Sequence, residues 1–200
     1  MAGFFYSIIF IMSNIIESHI KEHLDVLNSV KNLDTSIKSI SKVLIDCLRN
    51  EGTIFWCGNG GSASDSQHLA GELIGRFVGE RKPLKSIALN ADSAVMTCIV
   101  NDYGYEEIFS RQIEALGRHG DVLIGISTSG KSKNVINAFK VAHNKEMITI
   151  GFLGKGGGEA LKCVDYSVVI ESNTTARIQE MHIMIGHILC DLIENGLNLK

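Results

Sequence analysis

Five short apolar runs, separated by segments of helical periodicity, place the strongest limit on how this chain can fold. The runs are apolar without alternation, which is typical of strands that are buried on both faces. Strands that alternate with helices form a parallel sheet covered on both sides. We therefore predict one α/β domain, residues 12–200, with a five-stranded parallel sheet. The predicted strands are 53–57, 85–89, 121–127, 147–153 and 166–171.

The segment before the first strand, residues 14–50, has apolar residues three and four apart and predicts an N-terminal helical hairpin. Asp34–Ser36 is interpreted as the break, with a new N-cap. The apolar stripe of the hairpin needs a partner, either the rest of the domain or a second copy of the chain. Further helices are expected at about 62–79, 91–100, 105–117, 131–145, 157–162 and 175–195.

The first residues are apolar over too short a length to cross a membrane, because a span needs about 20 residues. A signal peptide has weak support, since neither a basic start nor a small-residue cleavage site is evident. We interpret residues 1–11 as a leader, an alternative start or an expression artefact. An added helical turn at a subunit contact is the other interpretation.

Composition excludes several classes of protein. The net charge is −3 and charged residues make up 20% of the chain, without a basic stripe, so we expect no nucleic-acid partner. The mean hydropathy of +0.15 is high and suggests surface that is buried by oligomerisation. The five cysteines are odd in number and lack CxxC spacing, so a disulfide framework and a thiolate zinc site are both disfavoured. We therefore expect the protein to be located in a reducing cytoplasm.

Two turns rich in small polar residues follow predicted strands and lead into helices. The first is Gly58–Ser62 and the second is Ser127–Ser132. Ligands bind at the carboxyl ends of parallel strands, and N–H groups at a helix N-terminus favour an anion. We predict a phosphorylated ligand; the alternative is a pair of ordinary N-cap turns. We expect neither turn to be a nucleotide-binding loop, and no acidic residue ends the second strand to support a dinucleotide site.

The helix after the first turn carries His68, Glu72 and Arg76 at every fourth position, hence on one face. A histidine and a carboxylate at this spacing can hold a metal or act as an acid/base pair. A solvated helix face is the equally weighted alternative. Asp102, in the segment Asn101–Gly104, either caps the next helix or faces the ligand.

The last helix is apolar on most sides, which predicts burial in a multi-subunit core. Gln179 and His187 are polar exceptions and mark a candidate site, because unsatisfied polar groups are costly in such a helix. They are separated by about 80° and about 12 Å along the axis. They can share a site only by leaning together or if different subunits contribute. His182 is as readily a packed or surface residue, and the histidines at 19, 23, 119 and 143 are interpreted as surface or packing residues.

Four segments, residues 57–77, 101–112, 120–135 and 176–194, together resemble the sugar isomerase domain family, and most closely its phosphoheptose isomerases. The resemblance extends from about residue 13 to the end of the chain. It implies a flavodoxin-like fold, a cytoplasmic homotetramer with active sites at subunit interfaces, and no membrane partner. It further implies interconversion of sedoheptulose 7-phosphate and D-glycero-D-manno-heptose 7-phosphate, a step toward heptose for lipopolysaccharide or capsule.

The resemblance also implies roles for individual residues. Glu72 and His187 match the catalytic glutamate and histidine of the family. A zinc ion is implied at His68, Glu72, Gln179 and His187. The matching substrate-binding residues, besides Glu72, are Asn59, Gly60, Gly61, Asn101, Asp102, Ser127, Thr128, Ser129, Ser132 and Gln179.

The chemistry is consistent with those roles, because moving a carbonyl between C1 and C2 requires a base at carbon and a proton shuttle at oxygen. Our hypothesis makes Glu72 the base and His187 the acid; Glu72 cannot easily be a tight zinc ligand at the same time. Two alternative functions involve no catalysis. One is that of a paralogue that binds the replication initiator DnaA, and the other is that of a phosphosugar-sensing regulatory domain. The paralogue lacks the residues that match Glu72 and His187, both of which are present here. The regulatory domain usually accompanies a DNA-binding module. Ala176 departs from the Asp of several relatives.

Overall fold

The computed structural model describes the backbone of residues 2–199 and the side chains of residue 12 and residues 14–199. Its centre is a five-stranded, fully parallel sheet with the order β2-β1-β3-β4-β5. This order is that of flavodoxin-like folds, and it confirms the predicted fold class. The strands are β1 (Ile54–Gly58), β2 (Ser86–Ala88), β3 (Val122–Ser127), β4 (Ile148–Gly154) and β5 (Tyr166–Ile170).

Helices cover both faces of this sheet, as the pattern predicted. Short 3-10 turns occur at Lys31–Leu33, Tyr105–Glu107 and Ala160–Cys163. The α-helices are α1 (Ala2–Val30), α2 (Asp34–Arg49), α3 (Gly61–Ile74), α4 (Ser93–Tyr103), α5 (Ser110–Leu116), α6 (Lys133–Asn144) and α7 (Thr175–Gly196).

Several predicted helix boundaries are wrong, each for a local reason. The helix expected to reach residue 79 ends at Ile74, because the following backbone bonds to α7 instead. The segment 105–117 divides into a 3-10 turn and α5, and much of 157–162 is a glycine turn. The break between α1 and α2 is the 3-10 turn Lys31–Leu33 and not the expected Asp34–Ser36, because α2 already begins at Asp34. The Asp34 side chain accepts a bond from Lys38 (2.8 Å) rather than capping the helix.

The strands divide the core into two apolar clusters. Ile54 and Trp56 face the cluster formed with α1, α2, α3 and α7, whereas Phe55 and Cys57 face α4, α5 and α6. Each ring or aliphatic side chain buried in this way stabilises the fold by roughly 1.5–3 kcal/mol. Every residue of β1 is therefore buried, which explains why its sequence shows no polar alternation.

The apolar stripe of α1 is left uncovered by the single chain. Five of its side chains are at least half exposed: Met12, Ile15, Ile16, Ile20 and Leu24. Helix α1 begins at Ala2, but the side chains of residues 1–11 lie outside the described part of the chain. Their interpretation as a leader therefore stays a prediction. Among the residues that the structure describes, no helix has the length and apolar character needed to cross a membrane.

All five cysteines are free, in agreement with the cysteine count. Cys47, Cys57 and Cys190 are buried in the apolar clusters. Burial raises the pKa of the Cys190 thiol to about 12, with Glu72 adding to the rise. These cysteines therefore act as small apolar side chains rather than as nucleophiles.

Candidate active site

The two polar turns lie side by side, because β1 and β3 are neighbouring strands. They end at the point where the strand order reverses, which is where ligands bind in such sheets. Asn59, from the first turn, and Asn134, from the start of α6, exchange amide hydrogen bonds of 2.9 Å in both directions. Tyr105 also donates to Asn59 (2.7 Å). Three segments that are distant in sequence thus meet at one edge.

The second turn brings its hydroxyl groups together. Ser127 Oγ lies 3.0 Å from Ser132 Oγ and accepts a bond from the Gly130 N–H (3.1 Å). Gly130 has φ +62°, and a Cβ there would lie 2.0 Å from the Gly157 carbonyl oxygen. Only glycine fits this contact. The glycine turn at residues 156–158 therefore supports the Ser127–Ser132 turn, although the sequence pattern predicted a helix over 157–162.

Residues 125–132 read GISTSGKS and match GxxxxGK[ST], the pattern of nucleotide-binding phosphate loops. The structure does not support that function. Gly125 lies inside β3, where a Cβ would meet Phe139 at 2.4 Å. Only residues 128–132 remain between β3 and α6, a turn too short to wrap around a phosphate chain. The match to the pattern is therefore accidental. We expected that this turn is not a nucleotide-binding loop, and the geometry of the turn, rather than its sequence, supports that expectation.

The first turn contacts the last helix. Gly60 has φ +58° and is exposed, and Gly61 begins α3. A Cβ on Gly61 would lie 2.3 Å from Gln179 Nε2, so the Gln179 amide packs directly on the turn. Gln179 thus lies beside the glycines of the predicted substrate site.

Three of the predicted metal or catalytic side chains meet between α3 and α7. His68 Nε2 lies 3.0 Å from Glu72 Oε1 and 3.3 Å from His187 Nε2. One ligand atom from each residue lies within 4.8 Å of the others. Glu72 is half-buried and His68 is exposed, so the cluster is open to a ligand. Arg76 lies beyond the end of α3 and pairs with exposed Glu80, so it belongs to a solvated face.

Parallel packing of α3 on α7 creates this cluster and also separates Gln179 from it. A Cβ on Gly186 would lie 2.5 Å from Leu69, so glycine permits the close approach of the helices. Gln179 lies two turns before His187, about 12 Å along the axis. It contacts the first turn, whereas His187 contacts His68. In one chain the four predicted zinc ligands therefore fall into a group of three and a separate Gln179.

Asp65 lies one turn before His68, and no role was predicted for it from the sequence. Its Oδ2 is buried and accepts no hydrogen bond from the part of the chain that the structure describes. Burial raises the pKa of this carboxyl group, while the nearby His68 and His187 oppose the rise. Its only sequence signal was its position one turn before the predicted His–Glu pair.

A second carboxylate, Glu194 of α7, lies just beyond the cluster and is fully buried. It accepts bonds from the N–H groups of residues 77, 78 and 79 (2.9, 3.1 and 2.9 Å) and from Arg81 Nε (2.8 Å). Burial alone would raise the pKa of Glu194, but these donors outweigh it and lower the pKa to about 2. No local pattern indicated the ion pair of Glu194 with Arg81, because the two residues are more than a hundred positions apart in the sequence.

The bonds to Glu194 hold the segment after α3, and Phe77 in that segment stacks on His187. The ring centroids are 5.5 Å apart and the ring planes are inclined by 24°. Arg81 also donates to the backbone carbonyls of Glu72 (2.8 Å) and Leu73 (2.9 Å). The end of α3 is thereby tied to α7.

Asn101 and Asp102 lie in the last turn of α4, and both side chains are exposed. Asn101 Nδ2 donates to Asp102 Oδ1 (2.7 Å). Gly104, not Asp102, precedes the following 3-10 turn, so the capping interpretation is wrong. Their predicted contact with substrate stays a prediction.

His182 is a packed core residue. Its Nε2–H donates to the Leu153 carbonyl (3.1 Å), and its buried Nδ1 has no hydrogen-bond partner among the described residues. Burial lowers its pKa to about 4, so it is neutral at physiological pH. The other histidines make ordinary contacts: His23 with Glu180, His119 with Glu146 and His143 with Asp165.

The fold and the site define a class of protein: a parallel α/β domain with serine- and glycine-rich turns at the switch point and a carboxylate–histidine cluster between two helices. The SIS domain family model matches residues 18–154. The phosphoheptose isomerase of Campylobacter jejuni serotype O:6 is 50% identical over 185 residues, covering 92% of this chain and 100% of that protein. The phosphoheptose isomerase of Helicobacter pylori is 50% identical over 184 residues, covering 92% and 96%.

A solved structure agrees with these relatives. The structure of phosphoheptose isomerase GmhA from Neisseria gonorrhoeae has a TM-score of 0.88 and 39% identity, covering 92% of this chain and 99% of that one. The chain therefore belongs to the SIS domain family and, within it, to the phosphoheptose isomerases. It is an enzyme of the isomerase class, which favours catalysis over the initiator-binding and regulatory alternatives.

Proposed function

We propose that the enzyme interconverts the ketose sedoheptulose 7-phosphate and the aldose D-glycero-D-manno-heptose 7-phosphate. Two independent features support this substrate class. The Ser127–Ser132 turn presents hydroxyl groups and a helix start suited to a phosphate monoester. The named relatives at 50% identity are phosphoheptose isomerases. The product would enter heptose synthesis for lipopolysaccharide or capsule.

The observation that carries the mechanism is the His68–Glu72–His187 cluster. Glu72 would take a proton from C1 of the ketose, giving a 1,2-enediol, and return it to C2 to give the aldose. His187 would move the accompanying proton between the two oxygens. The partial exposure of Glu72 supports this assignment, because the carboxylate can reach a substrate carbon.

The phosphate would be held far from the reacting carbons by the second turn. Binding energy gained there can orient C1 and C2 against Glu72. Gly60 and Gly61 of the first turn, with Asn59 and Gln179, would contact the sugar between the two ends. Asn101 and Asp102 complete the proposed contact set, which also includes Ser127, Thr128, Ser129 and Ser132.

Zinc fits the cluster. Ligand atoms around a tetrahedral zinc ion at about 2.0–2.1 Å lie about 3.3 Å from one another. The two separations from His68 Nε2, 3.0 and 3.3 Å, are close to that value. His68 and His187 would hold the ion, with Gln179 if it moves or comes from another subunit. Glu72 is the remaining candidate ligand, but it cannot easily be a tight ligand while it acts as the base. When bound, zinc would polarise substrate oxygens as a Lewis acid.

We further propose a cytoplasmic homotetramer with active sites between subunits. The exposed apolar stripe of α1 supports oligomerisation, because such a face is costly in water. Glu72 lies three turns along α3 from Gly61, about 16 Å of rise. A seven-carbon phosphate spans that distance poorly, which supports a substrate shared between two chains. The five free cysteines support a reducing compartment.

Proton NMR in D2O tests the reaction. The parent enzyme with sedoheptulose 7-phosphate should produce aldose signals and introduce deuterium at the reacting carbon. Glu72→Gln should do neither while it keeps the parental unfolding temperature. Absence of aldose from a folded, zinc-supplied parent would contradict the proposed substrate. Full activity of Glu72→Gln would contradict the assignment of the base.

Hybrid tetramers test the shared active site. Two differently tagged chains, Glu72→Gln and Ser129→Asp, are each expected to be inactive, the second because its carboxylate repels the phosphate. Co-expression should restore activity if the cluster of one chain serves the turn of another. The matched control pairs Glu72→Gln with His187→Gln, which share one cluster and should stay inactive together. No restoration in the first pair would place the whole site in one chain.

A further inference from the structure

The face of the His187 imidazole is covered by an aromatic ring from the segment after α3. Phe77 stacks on it at 5.5 Å with an inclination of 24°, while His68 approaches in an edge geometry at 5.0 Å and 62°. An imidazole between two such neighbours has little freedom to rotate about its terminal torsion. The stack therefore defines the direction in which His187 Nε2 points, toward His68 Nε2 (3.3 Å).

The backbone of Phe77 is itself anchored by a buried charge. Its N–H donates to Glu194 Oε1 (2.9 Å), and the next two N–H groups donate to Glu194 Oε2. Arg81 closes the segment with a 2.8 Å bond from Nε to Glu194 Oε1, and both side chains are almost fully buried. Charge-assisted bonds of this kind are about twice as strong as neutral ones, so they hold the loop rigidly.

The same anchor reaches Glu72. Arg81 Nη2 donates to the Glu72 carbonyl (2.8 Å), and Arg81 Nη1 donates to the Leu73 carbonyl (2.9 Å). These carbonyls belong to the last turn of α3, which lacks helical partners of its own. One buried ion pair therefore fixes both the backbone of Glu72 and the ring that covers His187.

We propose that Phe77 is a positioning residue for His187, and that Arg81 and Glu194 hold it in place together with the last turn of α3. The inference rests on the proposed function, in which His187 moves a proton between substrate oxygens. That step needs the imidazole of His187 within hydrogen-bond reach of those oxygens. Small misplacements of a catalytic group cost up to about 100-fold in rate. A ring that fixes the imidazole plane serves this requirement.

Kinetics of two variants separate positioning from packing. Phe77→Leu keeps an apolar side chain but removes the ring, whereas Phe77→Tyr keeps the ring. We expect Phe77→Leu to lower kcat for sedoheptulose 7-phosphate about tenfold, with KM changed less than about twofold, because the lost interaction matters for the reacting geometry. Phe77→Tyr should stay within about twofold of the parent in both constants.

A spectroscopic readout reports on the stack without any turnover. In 13C-histidine-labelled enzyme, the His187 ring signal is assigned by its loss in His187→Gln. It should move downfield in Phe77→Leu, as the ring current disappears, and stay in place in Phe77→Tyr. Glu194→Gln should move the same signal, because the loop that carries Phe77 loses its charged anchor.

The outcomes are distinct. Phe109→Leu, a buried ring lost on the other face of the sheet, is the stability control and should keep the parental kcat and His187 signal at temperatures where it is folded. A parental kcat in Phe77→Leu, or an unmoved His187 signal, would overturn the inference. If the parent does not isomerise the sugar but the signal moves as described, the proposed function fails and the positioning of His187 stands.

Discussion

Glu72 and Glu194 both lie in the last turn of a helix, and one arginine contacts both neighbourhoods, yet their surroundings are opposite. Glu194 is fully buried and accepts three backbone bonds and one from Arg81. The Glu72 side chain is 25% exposed, and its carboxylate lies beside His68. One carboxylate has its hydrogen-bonding capacity met by the fold, whereas the other keeps capacity for a ligand.

The difference shows how a fold separates a structural charge from a reactive one. A buried carboxylate with several donors is held as an anion, and removing its charge leaves those donors unpaired. A carboxylate with few donors can exchange protons or bind a metal. Arg81 serves both, since it neutralises Glu194 and binds the Glu72 backbone but not its side chain.

Exchanging the two carboxylates for amides gives the largest expected contrast. Glu72→Gln should lower kcat by about 10²–10⁴-fold, the usual range for a general base. Its free energy of unfolding should change by less than about 1 kcal/mol, because the side chain has few bonds. Glu194→Gln should lower that free energy by about 3–5 kcal/mol, as breaking a buried pair does. Urea unfolding and steady-state kinetics measure both.

The control is Glu80→Gln, whose side chain is 90% exposed. It should change neither the rate nor the stability. A Glu194→Gln variant with parental stability, or a Glu72→Gln variant that unfolds more easily than Glu194→Gln, would reverse the assignment of the two roles.

Acid should selectively remove the contribution of Glu194 to the free energy of unfolding. Its folded pKa of about 2 lies below the ordinary 4.5, so the stabilisation is complete above pH 4.5 and is lost as the pH falls toward 2. The shift corresponds to about 3 kcal/mol. The difference in unfolding free energy between the parent and Glu194→Gln should narrow by that amount across this window. A difference that is constant from pH 5 to pH 2.5 would contradict the donor network.

His182 provides the opposite case, a buried group with one ring nitrogen that has no hydrogen-bond partner among the described residues. Its folded pKa of about 4 lies below the ordinary 6.5, so only the unfolded chain takes up its proton between those values. Stability should therefore fall by up to about 3 kcal/mol as the pH drops from 6.5 to 4. His182→Gln should lose this pH dependence while keeping a donor for Leu153. An unchanged slope would show that other groups cause it.

The smallest effect is expected at the phosphate turn. Ser132→Ala removes one of two hydroxyls that lie 3.0 Å apart. We expect KM to rise at least about tenfold with kcat unchanged, because a bond to a charged group contributes about 1.5–3 kcal/mol. Ser39→Ala removes an exposed hydroxyl on α2 and is the matched control. An unchanged KM in Ser132→Ala would remove this hydroxyl from the proposed phosphate site.

Local patterns predicted the strands well and the helix ends less well. Strand β3 begins and ends within one residue of the expected range, because a continuous apolar run leaves few alternatives. Helix α3 ends five residues before its expected end. The sequence after Ile74 contains residues compatible with a helix, but its N–H groups bond to Glu194. A distant partner overrides a local preference in this way.

The same distinction between local patterns and distant partners applies to the candidate site. His68 and Glu72 were identified from their spacing, since a helix brings residues four apart together. The meeting of His187 with His68, and the contact of Gln179 with Gly61, required the packing of α3 on α7. The positioning segment around Phe77 gave no periodic signal.

The sequence by itself determined the five parallel strands, the two polar turns and the helical faces, because these depend on neighbours a few residues apart. Tertiary structure alone decided that α3 and α7 run side by side, that Glu72 is left open and that Glu194 is enclosed. Contacts between residues more than a hundred positions apart depend on how whole surfaces pack. Gly186, which lets Leu69 approach, controls that packing without any local pattern of its own.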